Sequence, residues 1–110
     1  MRYILPLPIF FLFILIQFSH AQSKEELYIK GLKLKSEYSN REALPIFQSL
    51  LKSDSGNVNY LHNTSYMYSK VGNTLNTQEE KINYYRIAEY LARKALYWMK
   101  KTLMLIMLMP

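Results

Sequence analysis

Hydrophobic residues follow three regimes along this chain. Residues 3–18 are almost all apolar and residues 103–109 are wholly so, while the stretch between them places apolar side chains three and four apart, the spacing of one helix face. Three start signals punctuate that middle: Ser23-x-x-Glu26, Ser39-x-x-Glu42 and Thr77-x-x-Glu80. In each, the hydroxyl can accept from a backbone N–H of the first turn while the carboxylate complements the helix dipole. Helices are therefore predicted over about 24–38, 41–53 and 58–71, and from 78 to at least 96.

The first helix carries a stripe of Leu27, Gly31, Leu34 and Tyr38, and the second a face of Ala43, Leu44, Phe47, Leu50 and Leu51. Pro45 lies near the start of the second, where its missing donor matters least. The third offers Val58, Leu61, Tyr68 and Val71 and stops at Gly72-Asn73, a pair suited to a left-handed end. The fourth sets Tyr84, Ala88, Leu91, Ala92 and Ala95 on a face of small residues that lets a neighbour approach closely. No run alternates with period two for long enough to make a strand. The predicted class is all-α, in antiparallel helix pairs joined by short turns.

The apolar ends call for separate readings. Met1-Arg2 gives a short positive start, and the apolar run Tyr3–Ile16 is too short to span a bilayer comfortably, since about 20 residues are needed. Ser19 and Ala21 stand at the third and first positions before a cut, and polar sequence begins at Gln22. Residues 1–21 therefore read as an export signal cleaved after Ala21, which places the mature protein in the periplasm or cell envelope, or outside the cell. The alternative is an uncleaved anchor through residues 3–16. No cysteine exists to carry a lipid, a disulfide, a thiolate metal site or a nucleophile.

Composition narrows the chemistry further. The net charge is +6, but the basic residues are spread singly, which argues against a nucleic-acid footprint. Removal of the leader leaves His62 as the sole histidine, and the three glycines do not cluster into a phosphate loop. Glu25-Glu26 and Glu79-Glu80 each open a helix, so capping explains them more cheaply than paired-carboxylate catalysis does. Neither an enzyme nor a cofactor or metal site is expected.

An internal repeat organises the helices. Residues 24–57 contain Leu27-x2-Lys30-Gly31-x2-Leu34, then Ala43-x3-Phe47, then Ser55 in the turn Asp54-Ser55-Gly56-Asn57. A second copy over 58–96 begins Leu61-x2-Thr64-Ser65-x2-Tyr68 and, after eleven extra residues, resumes as Ala88-x3-Ala92-x2-Ala95. Over residues 24–96 this pattern resembles the tetratricopeptide repeat, with Lys30 as a departure from it. The resemblance implies a TPR-like α-solenoid of exported, envelope type, with domain 22–96 as its repeats. It also implies packing positions at Leu27, Gly31, Leu34, Ala43, Phe47, Leu61, Tyr68, Ala88, Ala92 and Ala95. A concave groove for a protein or peptide partner would then be lined by Tyr28, Lys35, Asn59, His62, Tyr66 and Lys70. The clamp by which some members hold C-terminal carboxylates needs Lys and Asn where this chain has Tyr28 and Leu32, so chaperone-tail binding is not implied.

The tail 97–110 departs from all of this, with four of the six methionines in its length and no polar face beyond Thr102. Trp and Met have one codon each, so the reading frame one nucleotide back is largely fixed. It gives Leu, Asp, Glu, then Lys or Glu, then Asp or Asn, continues with Asp/Asn/His/Tyr and Ala/Val positions, and ends in Ala. No stop can occur in it, whereas the other shifted frame forces one across Trp98-Met99-Lys100. A string such as L-D-E-K-D-A-D-A-H-Y-V-N-A is an inter-repeat turn followed by a helix, which reads the tail as out of frame and the repeat array as cut short. Two other readings stay open: a hydrophobic interaction tail, and a small envelope protein anchored to the membrane by its hydrophobic termini, residues 3–16 if uncleaved and 103–109.

Overall fold

A computed structural model describes residues 23–110; the leader 1–21 and the anchor 3–16 lie outside the described residues. Four helices follow in order: α1 Lys24–Ser36, α2 Asn40–Ser53, α3 Val58–Gly72 and α4 Gln78–Met107. Among the described residues there is no strand, so the chain is all-α there.

Two of the three start signals cap as the sequence predicts. Ser23 Oγ accepts from Glu26 N–H at 3.1 Å and Thr77 Oγ1 accepts from Glu80 N–H at 3.2 Å. Ser39 makes no such bond, because its backbone already closes the preceding helix. Ser39 N–H donates to Leu34 O at 2.9 Å and Tyr38 N–H to Lys35 O at 3.1 Å, the pairing of a Schellman end with Tyr38 in the left-handed position at φ 60°. Tyr38 is therefore no part of the α1 stripe, and at 86% exposure it points to solvent. Asn57 supplies a cap the start signals did not include: its Oδ1 accepts from Tyr60 N–H at 3.1 Å and opens α3.

The end of α3 also differs from expectation. No glycine has positive φ, and Asn73 stays right-handed at φ −62°. The chain tightens instead, Thr74 N–H donating to Val71 O at 2.9 Å and Leu75 N–H to Gly72 O at 3.2 Å. Gly72 is small for a packing reason, since a Cβ there would lie 3.1 Å from Tyr84 Cβ.

Helix α2 lies against α1, and α3 covers both. The larger core holds Ala43, Leu44, Phe47 and Leu50 from α2 with Tyr60, Met67 and Val71 from α3, and Leu27, Tyr28 and Leu34 of α1 pack against it. Close approach of the first pair depends on Gly31, whose absent Cβ would sit 2.9 Å from Phe47 Cζ. In the second pair Ser65 takes the matching place, and its hydroxyl donates to Ala88 O at 2.6 Å.

Of the eleven extra residues between Tyr68 and Ala88, nine lengthen the helices and two lengthen the turn. Helix α3 runs seven residues past Ser65 and α4 has ten before Ala88, where α1 runs five past Gly31 and α2 has three before Ala43. A smaller core of Leu61, Leu91 and Ala95, flanked by Leu51, Val58, Tyr68 and Trp98, joins α3 to α4. Of the thirty residues of α4 only Ala88, Leu91 and Ala95 are buried. The helix continues through the break expected near Leu96, and every residue from Met99 onward is exposed.

Candidate interaction surface

The six residues expected to form one groove separate into three places. Tyr28 is half-buried against the core: its ring meets Phe47 edge-on at 6.2 Å and Tyr60 at 5.5 Å, while its hydroxyl accepts from Asn63. Lys35, Tyr66 and Lys70 converge, with the Lys35 ammonium 4.5 Å and the Lys70 ammonium 5.2 Å from the Tyr66 ring centroid. Each cation is held by the negative face of the ring's quadrupole. Asn59 and His62 lie apart from them, on an open hollow of about 390 Å³ between α3 and α4.

Asn63 organises the converging patch and was not singled out in the sequence. It is 4% exposed. Its Nδ2 donates to Asn59 O at 2.9 Å and to Tyr28 Oη at 3.3 Å, while its Oδ1 accepts from Lys35 Nζ at 2.8 Å. A buried amide needs its partners, and here three residues on two helices supply them. The available signal was its position, three residues after Tyr60 and four before Met67, on the buried side of α3. The one ion pair among the described residues is Arg93–Glu89, so no carboxylate there pairs with Lys35 or Lys70. Two adjacent cations beside an aromatic ring suit an incoming carboxylate or phosphate.

The residues marked by the repeat pattern differ in burial. Gly31, Ala43, Phe47, Leu61, Ala88 and Ala95 are buried, and Leu27, Leu34 and Tyr68 are half-buried against the core. Tyr68 also packs edge-on to Tyr84 at 5.3 Å and accepts from Gln48 Nε2 at 2.6 Å. Ala92 is the exception. It is exposed and lines the α3–α4 hollow with Val58, Asn59, His62, Ala95 and Met99, because no described helix lies over that side of α4.

A second apolar hollow of about 480 Å³ opens on the other side of α4, with Leu51, Tyr68, Ile87, Tyr90 and Leu91 in its walls. A third, of about 310 Å³, lies at the α1–α2 turn, where Arg41 Nη2 donates to Thr74 Oγ1 at 3.0 Å. No group of three or more His, Asp or Glu side chains is placed to hold a metal ion among the described residues. No family model, curated protein or solved structure matches the chain.

Proposed function

We propose that this protein is an exported, TPR-like helical scaffold that binds an acidic segment of a protein or peptide partner and performs no catalysis. The observation that carries the reading is the convergence of Lys35 and Lys70 on Tyr66, with Lys35 fixed by the buried amide of Asn63. Support for repeat architecture comes from the 34-residue spacing of Gly31 and Ser65, each of which faces the second helix of its own pair. The leader motif at residues 1–21 supports export. Titration with fluorescent acidic peptides tests the site. Lys35→Ala combined with Lys70→Ala is expected to weaken binding by about tenfold and to flatten its salt dependence, as loss of interfacial charges does. Equal binding by an uncharged peptide and by the double variant rejects the site.

One observation favours a second reading, an envelope protein held at the membrane. Leu103–Leu108 are exposed around the whole circumference of α4, directly after Lys100 and Lys101 and the rings of Tyr97 and Trp98. Back from the apolar tip come the basic Lys100 and Lys101 and then the rings of Trp98 and Tyr97, residue types that suit a lipid interface. No described helix is long and apolar enough to cross a membrane. Fractionation separates the readings: release after leader cleavage favours the scaffold, and retention that depends on residues 103–109 favours the anchor.

A further inference from the structure

The hollow between α3 and α4 repeats a site that is filled elsewhere in the same molecule. His62, Ala92, Ala95 and Leu96 on its walls stand 34 residues after Tyr28 and 45 residues after Phe47, Leu50 and Leu51. Those four earlier residues are covered by α3, which contributes Tyr60, Leu61 and Met67 to the clusters that hold them. Thr64 of α3 seats its hydroxyl 3.2 Å from Phe47 O while donating to Tyr60 O at 2.6 Å. The first helix pair therefore displays how a third helix lies on such a face. The second pair has the same face, and among the described residues no helix lies on it.

The codons under the tail describe such a helix. Read one nucleotide back, they give Asp at the place of Met99, Asn or Asp at the place of Thr102, and Ala at the place of Pro110. These places lie 45 residues after Asp54, Asn57 and Ser65. In the structure Asp54 is the C-cap of α2, Asn57 is the N-cap of α3, and Ser65 is the small residue that lets the next helix approach. Helix stop, helix start and close-packing position thus recur in one register. Asp54 and Ser65 already belong to the repeat pattern, whereas the cap at Asn57 is independent of it. The hollow also has room, because Ala92 stands where the first pair has Phe47.

We infer that the α3–α4 hollow is the seat of an amphipathic helix held as α3 is held on α1 and α2, and that the frame-shifted continuation after Leu96 supplies this helix. The inference rests on the repeat reading of the scaffold but not on the Lys35–Tyr66–Lys70 patch, so the two sites fail separately.

The probe is a 20-residue peptide, L-D-E-K-D-A-D-A-H-Y-V-N-A followed by the sequence Tyr66–Gly72, titrated into the ¹⁵N-labelled full chain. Saturable shifts are expected at the amides of Val58, Asn59, His62, Ala92, Ala95 and Leu96, and they are expected to persist when Lys35→Ala and Lys70→Ala remove the basic patch. Ala92→Lys, which changes an exposed position and leaves the fold intact, is expected to weaken binding by about tenfold by placing a charge under the helix. Ala92→Ser is expected to retain binding. Absence of shifts, equal binding of a scrambled peptide, or groove shifts produced only by phosphatidylglycerol vesicles overturns the inference. Sequencing the gene across these codons in independent isolates gives a second readout: one restored nucleotide between the codons of Leu96 and Tyr97 supports it. An unbroken present frame in every isolate overturns the assignment of the continuation as the helix's source.

Discussion

Phe47 and Ala92 occupy matching places in the two helix pairs, yet Phe47 is 0% exposed beneath α3 whereas Ala92 lies in an open hollow. The first pair owes its sealed core to a third helix, whereas no described helix lies over the second pair. Burial in this molecule is thus set by which neighbour arrives as much as by the residue that waits for it. Tandem helical units behave this way in general, because each unit leaves one face for the next to cover.

Truncation in the two cores should break this comparison most severely. Phe47→Ala removes a fully buried ring and is expected to destabilise the chain by about 3–5 kcal/mol in urea denaturation. Leu91→Ala, beside a hollow that admits water, is expected at the low end for its type, about 2 kcal/mol. Equal losses would mean that both pairs are equally sealed.

Overpacking gives the next effect. At Gly31 an added Cβ meets the Phe47 ring at 2.9 Å, whereas at Gly56 it meets Trp98 Cε2 at an ordinary 3.5 Å. Gly31→Ala is expected to cost about 1–2 kcal/mol, the strain exceeding the gain in helix propensity. Gly56→Ala is expected to lie within about 0.5 kcal/mol of the parent, and thermal melts of the two variants side by side sharpen the contrast.

A smaller effect, of opposite sign, belongs to the α1–α2 turn. Tyr38 holds a left-handed φ of 60° with its side chain in solvent. Tyr38→Gly should relieve that conformation and stabilise the first pair by about 0.5–1 kcal/mol in chemical denaturation. The smallest expected effect is at the far end. Removing residues 103–110, all exposed, should move the unfolding free energy by less than about 0.5 kcal/mol while reducing self-association in analytical ultracentrifugation.

Helix order and bounds were legible in the sequence to within a few residues, because caps and apolar spacing act locally. Ser39 was misread because two helices compete for it: closing α1 at Leu34 and Lys35 fixes the backbone that would otherwise cap α2. Gly72 was legible as special but not as to why, since its reason is the Tyr84 side of α4 and only the assembled hairpin brings that near. The candidate interaction surface was half legible. Lys35, Tyr66 and Lys70 share an outward-facing side on two helices, but Tyr28 turns inward once Tyr60 and Phe47 offer it an aromatic nest. Asn63 escaped because nothing local distinguishes a buried amide with distant partners from a solvated one.

That amide links recognition to folding. Asn63 lies on α3 and orients Lys35 on α1, so the basic patch exists only while α3 is docked. A partner that binds the patch therefore binds the docked state alone, and at a hundred times its dissociation constant it adds about 2.7 kcal/mol to the stability of the docked arrangement. On the proposed reading, resistance to proteolysis at the α2–α3 turn becomes a readout of occupancy, and a cell could retain the bound form while clearing the empty one.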